Sequence, residues 1–410
     1  GPPMNILFLT ENFPPETNAA ATRVFERAVY WARWGHQVTV ITSAPNFPQG
    51  ILMSGYANRW YQSEEMAGIK VVRVKTFISP NTGVVRRGLD FLSFLPSAFL
   101  AGIFQPRFDV VAATSPQFFA AVAGWLVGGV RRRPFVFELG DLWPGSISAV
   151  GAMKRGMLLG LMEKLELFLY HRSALVAALT QSFKEDLVGR GIAPGKISVV
   201  INGVDLPRYG PRDAKTDLAR EWGLEGKFTI GYVGTHGMAH RLGNVLEAAE
   251  ILRGEDDLRF LFVGAGAERQ ALKDKARQKN LENVVFIPPQ PKDAMPDIWA
   301  LCDVALVHLR DQPLFAGVIP SKIFEAMAMG LPVLLAAPDG EASAIINRHG
   351  NGICVAPEQP DDLARAARQL LDDKDAYTQM KQASLDAAHL FSRETQAQKM
   401  IDVLDRARGN

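Results

Sequence analysis

Short apolar runs alternate with helix-patterned stretches along the whole chain. In the first half "NILFLT", "QVTVIT", "IKVVRVK", "DVVAA", "PFVFEL", "LVAAL" and "ISVV" read as buried strands. In the second half "FTIGYVG", "LRFLFVG", "NVVFIP", "VALVHL", "PVLLAA" and "GICVA" do the same. Strands that are apolar on both faces, with helices between them, predict parallel sheets covered on both sides. The pattern therefore predicts an α/β protein of two doubly wound, Rossmann-like domains facing across a cleft, over residues 4–203 and 204–392. The turn-rich polar segment 203–226 marks the boundary. A last helix, about 393–408, is expected to pack back on the first domain. Ligands of such sheets bind beyond the carboxyl ends of the strands, so the loops that follow strands carry the candidate chemistry.

The most informative stretch is "GVIPSKIFEAMAMGLPVL", residues 317–334. Pro320 suits the first turn of a helix, where no intrahelical N–H bond is lost, and Gly330 with Pro332 ends it before a buried strand. Ser321 and Lys322 at a helix start with free N–H groups suit a phosphate. Glu325, about a turn further in, is placed to accept ribose hydroxyls. An ordinary αβ unit with a surface Lys and Glu explains the stretch equally well.

Other loops repeat the theme. "ENFPPETNAAATR" follows the first strand and places Glu16 and Asn18 on the cleft side, unless they only cap a turn and a helix. "GDLWPGS" follows "PFVFEL" and offers Asp141, with Trp143 to pack on a sugar face; the bland role for Asp141 is again a turn cap. "GYVGTHGMAHRLG" runs from strand through glycine-rich loop to helix. There Gly234 and Gly237 admit backbone near a phosphate, while His240 and Arg241 supply positive charge. "FVGAGAER" lacks the third glycine of a dinucleotide fingerprint. His36, His171, His308 and His349 lack partners at meaningful spacing and read as structural.

Composition narrows the class. Of 410 residues 48% are hydrophobic and 21% charged, as in ordinary globular proteins. Gly-Pro-Pro ahead of Met4 reads as an appended remnant, and no secretory pattern follows it. Cys302 and Cys354 lie in apolar runs and suit a reducing cytoplasm, and no Cys/His cluster has metal-ligand spacing. Residues 1–203 hold 20 Lys and Arg against 13 Asp and Glu, a balance of +7; the remainder holds 25 against 30, or −5. A basic first half predicts an anionic surface or partner there. No nucleic-acid motif accompanies it, so nucleic acid is not expected as that partner.

Taken in order, "FPPETNAAATR", "GDLWPGS", "INGVD", "FVGAGAER" and "PSKIFEAMAMGLPVL" resemble the retaining GT-B glycosyltransferases of family GT4. The nearest branch builds bacterial surface polysaccharides, of the colanic-acid and N-acetyl-fucosaminyl transferase kind. The resemblance implies a nucleotide sugar, preferably UDP-linked, held mainly by the second domain, and a lipid-linked or polysaccharide acceptor approaching from the first. It implies Glu325 on the ribose, Ser321 and Lys322 near the diphosphate, and Gly317, Val318, Gly234, Thr235, His240, Arg241 and Gln290 around the donor. It implies neither cofactor nor metal. Two departures stand out. The family's donor-sugar Glu, eight residues before Glu325, is Gly317 here, and the usual Arg and Lys of the glycine loop are Thr235 and His240. These favour a deoxy or N-acetylated sugar over glucose or mannose, with Arg241 or Lys322 compensating on the phosphates. Asp141 is the candidate for positioning the acceptor. A non-catalytic nucleotide-sugar-binding subunit and a nucleotide-sugar 2-epimerase are the competing readings.

"RRGLDFLSFLPSAFLAGIF", residues 86–104, is too short and interrupted for a spanning helix, which needs ~20 apolar residues. Drawn as a helix, it puts Arg86, Asp90, Ser93 and Ser97 on one stripe. Phe91, Phe94 and Phe99, with Arg86 and Arg87 beside them, are then expected to face the inner leaflet of the plasma membrane. A buried helix of the first domain is the equal alternative.

Overall fold

The computed structural model describes all residues except 1, 48, 79–83, 116–117, 143–155, 238–239 and 410; of Val84, Val85, Arg87 and Leu314 it describes the backbone only. Two compact units are present, Gly1–Asn202 with Arg393–Asn410, and Gly203–Ser392.

The first unit is built on eight strands: β1 (Asn5–Leu9), β2 (Gln37–Ser43), β3 (Tyr61–Met66), β4 (Ile69–Val74), β5 (Val110–Thr114), β6 (Phe135–Leu139), β7 (Leu175–Ala178) and β8 (Ile197–Val199). Their order is β3-β4-β2-β1-β5-β6-β7-β8, and every pairing is parallel except β3 with β4. β3 escaped the sequence reading because "YQSEEM" is a polar edge strand with no fully buried residue. One helical layer packs Phe94, Ala98, Ala120, Ala123, Leu169 and Tyr170 against the sheet. The opposite layer brings Val24, Ala28 and Trp31 together with Ala397, Met400 and Leu404 of the final helix, Arg393–Arg408.

The second unit has six parallel strands, β9 (Phe228–Val233), β10 (Leu258–Val263), β11 (Val284–Ile287), β12 (Val304–His308), β13 (Val333–Ala336) and β14 (Gly352–Val355), in the order β11-β10-β9-β12-β13-β14. All thirteen apolar runs named from the sequence are strands. Strand order reverses at β1/β5 in the first unit and at β9/β12 in the second, and those switch points are where such sheets hold ligands.

Helix Val84–Ile103 corrects the membrane expectation residue by residue. Phe94 is wholly buried, Phe99 packs against the same core, and Phe91 is half-buried. The helix is rotated from the expected setting because Asp90 is seated against Glu11 and the Ser93 hydroxyl takes the Phe77 N–H at 2.8 Å, which turns those two members of the polar stripe inward. The apolar side chains that face water are Leu89, Leu92, Leu100 and, just past the helix, Phe104 at 81% exposure. Arg86 is exposed beside them. Helix Met157–Arg172, in the same layer, also exposes Met157, Leu158 and Leu161. Among the described residues no helix is long and apolar enough to cross a membrane.

Candidate functional site

β9 delivers the chain to Gly234, whose φ of 146° is open to glycine. A Cβ there would lie 2.8 Å from both Cε and Nζ of Lys322, so the missing side chain is what admits the lysine. Gly264, after β10, has the same φ and lies so close that a Cβ would stand 2.0 Å from the Gly234 carbonyl oxygen. The "GAG" turn thus serves backbone-to-backbone packing beneath the Gly234 loop.

Lys322 opens helix Lys322–Met329, preceded by Ser321 at the N-cap, and Gly330 in the left-handed region at φ 71° ends it. Pro320 stands just ahead of the cap, two residues before the first helical position expected of it. The Ser321 side chain makes no capping bond, but the Ile323, Phe324 and Glu325 N–H groups already donate to the Pro320 and Ser321 carbonyls, so among the described residues the Lys322 N–H is the first-turn donor left for an anion. The Lys322 ammonium sits 3.7 Å from the centroid of the Tyr232 ring. Burial pushes it down to about 8, and the nearby Glu325 charge works the other way. Glu325 lies in the first turn, half-buried.

Two histidines close the other side. His308, at the end of β12, donates from Nδ1 to the His240 carbonyl at 2.6 Å, and His240 Nδ1 faces the His308 carbonyl at 3.4 Å. Burial lowers both, His308 to about 4. His308 therefore has a partner that its spacing in the sequence did not disclose, 68 residues away. His236 is fully buried against Tyr232, Phe262 and Phe286, another residue the sequence reading passed over. Burial lowers it to about 4.

The remaining donor-side candidates are less central. Thr235 is exposed and holds its carbonyl to the Tyr232 hydroxyl. Arg241 is engaged by Glu358 at 3.0 Å, so the cation unpaired among the described residues in this cradle is Lys322. Gln290 lines a separate groove with Trp222 and Asp297. Gly317 ends a short 3-10 turn and Val318 is exposed beside it. That turn packs on Gly340, where a Cβ would meet the Ala316 oxygen at 1.8 Å, and the next residue, Glu341, keeps a buried carboxylate oxygen, Oε2, unpartnered among the described residues.

In the first unit the expectation for Glu16 is overturned. Its Oε1 accepts from Phe13 N–H (3.2 Å) and Asn12 Nδ2 (3.3 Å), its Oε2 from Asn46 N–H (3.1 Å) and Phe47 N–H (2.6 Å), and the residue is buried. It staples the loop after β1 to the loop after β2, with no lone pair turned outward. Asn18 precedes helix Ala19–Arg33 without a side-chain cap, its Oδ1 buried and unpartnered among the described residues. Asp141 sits at the carboxyl end of β6, half-buried, its Oδ1 accepting from Leu142 N–H at 2.8 Å. Ser115 Oγ holds the turn by accepting from Gly140 N–H (2.8 Å) and Asp141 N–H (3.3 Å). Beneath it, Arg23 reaches Glu138 at 2.7 Å, Arg27 reaches the same carboxylate at 3.1 Å, and all three are buried. Burial alone would raise Glu138; the two guanidiniums hold it below the ordinary value. Trp143 and the side chain of Arg87 lie outside the described residues.

Glu11 and Asp90 form a second cluster that the sequence did not suggest. Burial, followed by the neighbouring carboxylate, pushes Glu11 well up, and burial pushes Asp90 up to about 6. The two carboxyls face each other with the Thr76 hydroxyl beside Asp90, and Glu11 Oε2, Asp90 Oδ1 and Thr76 Oγ1 are buried with no other partner among the described residues. Two carboxylates offer only acceptors, so one proton is shared between them. Among the described residues no group of three or more His, Cys, Asp or Glu could hold a metal ion.

Comparison with known proteins agrees with this architecture. The Glycosyltransferase Family 4 profile matches residues 20–208, and the Glycosyl transferases group 1 profile matches residues 214–386. The chain is 28% identical over 378 residues to a putative colanic acid biosynthesis glycosyl transferase, WcaI, of Escherichia coli, covering 90% of this chain and 92% of that one. It is 26% identical over 381 residues to a GDP-mannose-dependent alpha-mannosyltransferase of Mycobacterium tuberculosis, covering 91% and 90%. Anabaena HepE, solved in complex with UDP, shares the fold at a TM-score of 0.70 and 19% identity, over 98% of this chain and 100% of that one. With both halves matched and the two-sheet fold shared, the chain belongs to the GT4 glycosyltransferases of GT-B fold.

Proposed function

We propose that this enzyme moves a deoxy or N-acetylated sugar from a UDP-linked donor to a lipid-linked or polysaccharide acceptor, with retention and without a metal ion. The observation that carries the reading is the convergence of the Lys322 ammonium, the His240 ring and a helix start on the Gly234 loop. In this reading the Lys322 ammonium and backbone N–H, with the Ser321 hydroxyl, take up the diphosphate charge as the anomeric carbon gains oxocarbenium character. The bond from that carbon to the phosphate oxygen breaks, the acceptor oxygen bonds the same face, and the acceptor proton passes to the leaving phosphate. Glu325 holds the ribose, and Asp141 positions the acceptor. Position 317 brings no carboxylate for a fully hydroxylated sugar.

A thermal-shift screen with UDP, GDP, ADP, dTDP and their sugars tests the donor, since a ligand of the native state stabilises by mass action. UDP compounds are expected to give the largest shift; a larger one with GDP would overturn the nucleotide assignment. Nucleotide release from the stabilising sugar nucleotide is expected to survive a chelator, and its absence under all conditions would favour a binding subunit. Complete, magnesium-reversible loss of release would overturn the metal-free reading.

The water-facing apolar side chains of the first unit favour a peripheral place on the inner face of the plasma membrane. Leu92, Leu100, Phe104, Leu158 and Leu161 project from one helical layer, with Arg86 nearby. Wild type is expected to sediment with anionic vesicles at low salt, and a variant with these five changed to Ser is expected to stay in the supernatant. Equal recovery of the two would refute this placement.

A further inference from the structure

We propose that Tyr232 is the positioning residue of the diphosphate cradle: its ring holds the Lys322 ammonium without an anionic partner, so that donor capture draws a proton onto that lysine. This rests on the donor-site reading above.

Tyr232 is fully buried on β9 and serves both halves of the cradle at once. Its hydroxyl donates to the Thr235 carbonyl and so fixes the glycine loop, while its face lies 3.7 Å from Lys322 Nζ. The His236 and His240 rings approach the same ring edge-on, at 5.6 and 5.7 Å between centroids. The groups around Lys322 are therefore Tyr232 from β9, His236 and His240 from the loop, and Glu325 from its own helix. Behind them, Arg269 acts on His236, and His308, itself influenced by Glu358, backs His240. Among the described residues no carboxylate is paired with Lys322, and Glu325 is the acid near enough to act on it.

An ammonium over an aromatic face is attracted by the ring, but ring and stem together exclude the water that would solvate it. Burial wins, which leaves Lys322 at about 8. An arriving diphosphate supplies the missing anion and raises the lysine's proton affinity. The neutral amine then takes one proton from solvent, and no bond of the ligand changes. Without the ring nothing retains the flexible side chain, which relaxes into water and regains its ordinary charge.

Calorimetry of UDP binding at pH 8.5 reads this directly, because the UDP phosphate is fully ionised there and contributes no proton of its own. Run in buffers of differing ionisation enthalpy, wild type is expected to take up more than about half a proton per UDP, as a group titrating near 8 is mostly neutral at that pH. Lys322→Arg is expected to bind UDP with no uptake, since a guanidinium stays charged. Tyr232→Phe keeps the ring and is expected to keep the uptake. Tyr232→Leu is expected to lose it and to bind about tenfold more weakly, with melting curves confirming the fold. Where Tyr232→Leu does not fold, Lys322→Arg decides. UDP bound by wild type without proton uptake, or uptake unchanged in Lys322→Arg or Tyr232→Leu, overturns this proposal alone. No UDP binding by wild type overturns it together with the donor site.

Discussion

Replacing Asp90 by Asn is expected to stabilise the protein at pH 8 and to leave it nearly unchanged at pH 4.5. Asp90 titrates near 6 in the folded state against an ordinary 3.8, chiefly because it is buried, and Glu11 is raised as well. A raised carboxyl contributes stability that is fully present below its unfolded value, near 4. That contribution is lost as pH rises through the folded value, near 6 for Asp90. A displacement of about two units corresponds to about 3 kcal/mol at 1.36 kcal/mol per unit. Asp90 is half-buried, so solvent screening reduces this to about 1–2 kcal/mol. An Asn amide donates to Glu11 at every pH and removes the need for the shared proton. Urea midpoints at the two pH values, with unchanged slope, measure the effect. A variant destabilised equally at both would show that no proton is shared.

Three further outcomes follow from the sites. Glu325→Ala is expected to weaken UDP binding by about 2–3 kcal/mol through lost charge-assisted hydrogen bonds, and unchanged affinity in calorimetry would remove Glu325 from the ribose. Asp141→Asn is expected to lower turnover while sparing donor affinity; collapse of donor affinity with turnover intact at saturation would contradict an acceptor-side role. Gly264→Ala puts a Cβ 2.0 Å from the Gly234 oxygen, so melting temperature and UDP affinity are expected to fall together, at a cost of about 1–3 kcal/mol. A stable variant that has lost UDP affinity would point instead to direct ligand contact by the "GAG" turn.

The parallel sheets were legible because strands buried on both faces are apolar throughout, and all but the polar edge strand β3 announce themselves that way. The cradle around Gly234 and Lys322 was half legible. Helix start, Lys322 and Gly234 could be read from spacing, whereas Tyr232, His236 and His308 look like ordinary members of apolar strands until the fold brings them together. A signal did exist for Glu138, a lone acid inside "FVFEL", which demands buried cations and finds them in Arg23 and Arg27. Glu16 misled because a carboxylate in a strand-end loop looks like a ligand, and only geometry shows four N–H donors already bound. Helix Val84–Ile103 misled because its Asp and Ser stripe reads as a wet face, while the Glu11 contact that turns it inward spans 79 residues of sequence, from 11 to 90.

The final helix has a consequence for the order of synthesis. Arg393–Arg408 completes the core of the first unit, with Ala397, Met400 and Leu404 buried and the Ala397 carbonyl accepting from Trp31 Nε1 at 2.9 Å. A nascent chain therefore emits most of its first half, then an entire second unit, before the piece that closes the first one leaves the ribosome. Until that helix emerges, Trp31 lacks that partner and one side of the first sheet stays open to chaperones. A premature stop just after residue 392 would spare the contiguous second unit and unravel the half of the protein encoded farthest from the mutation.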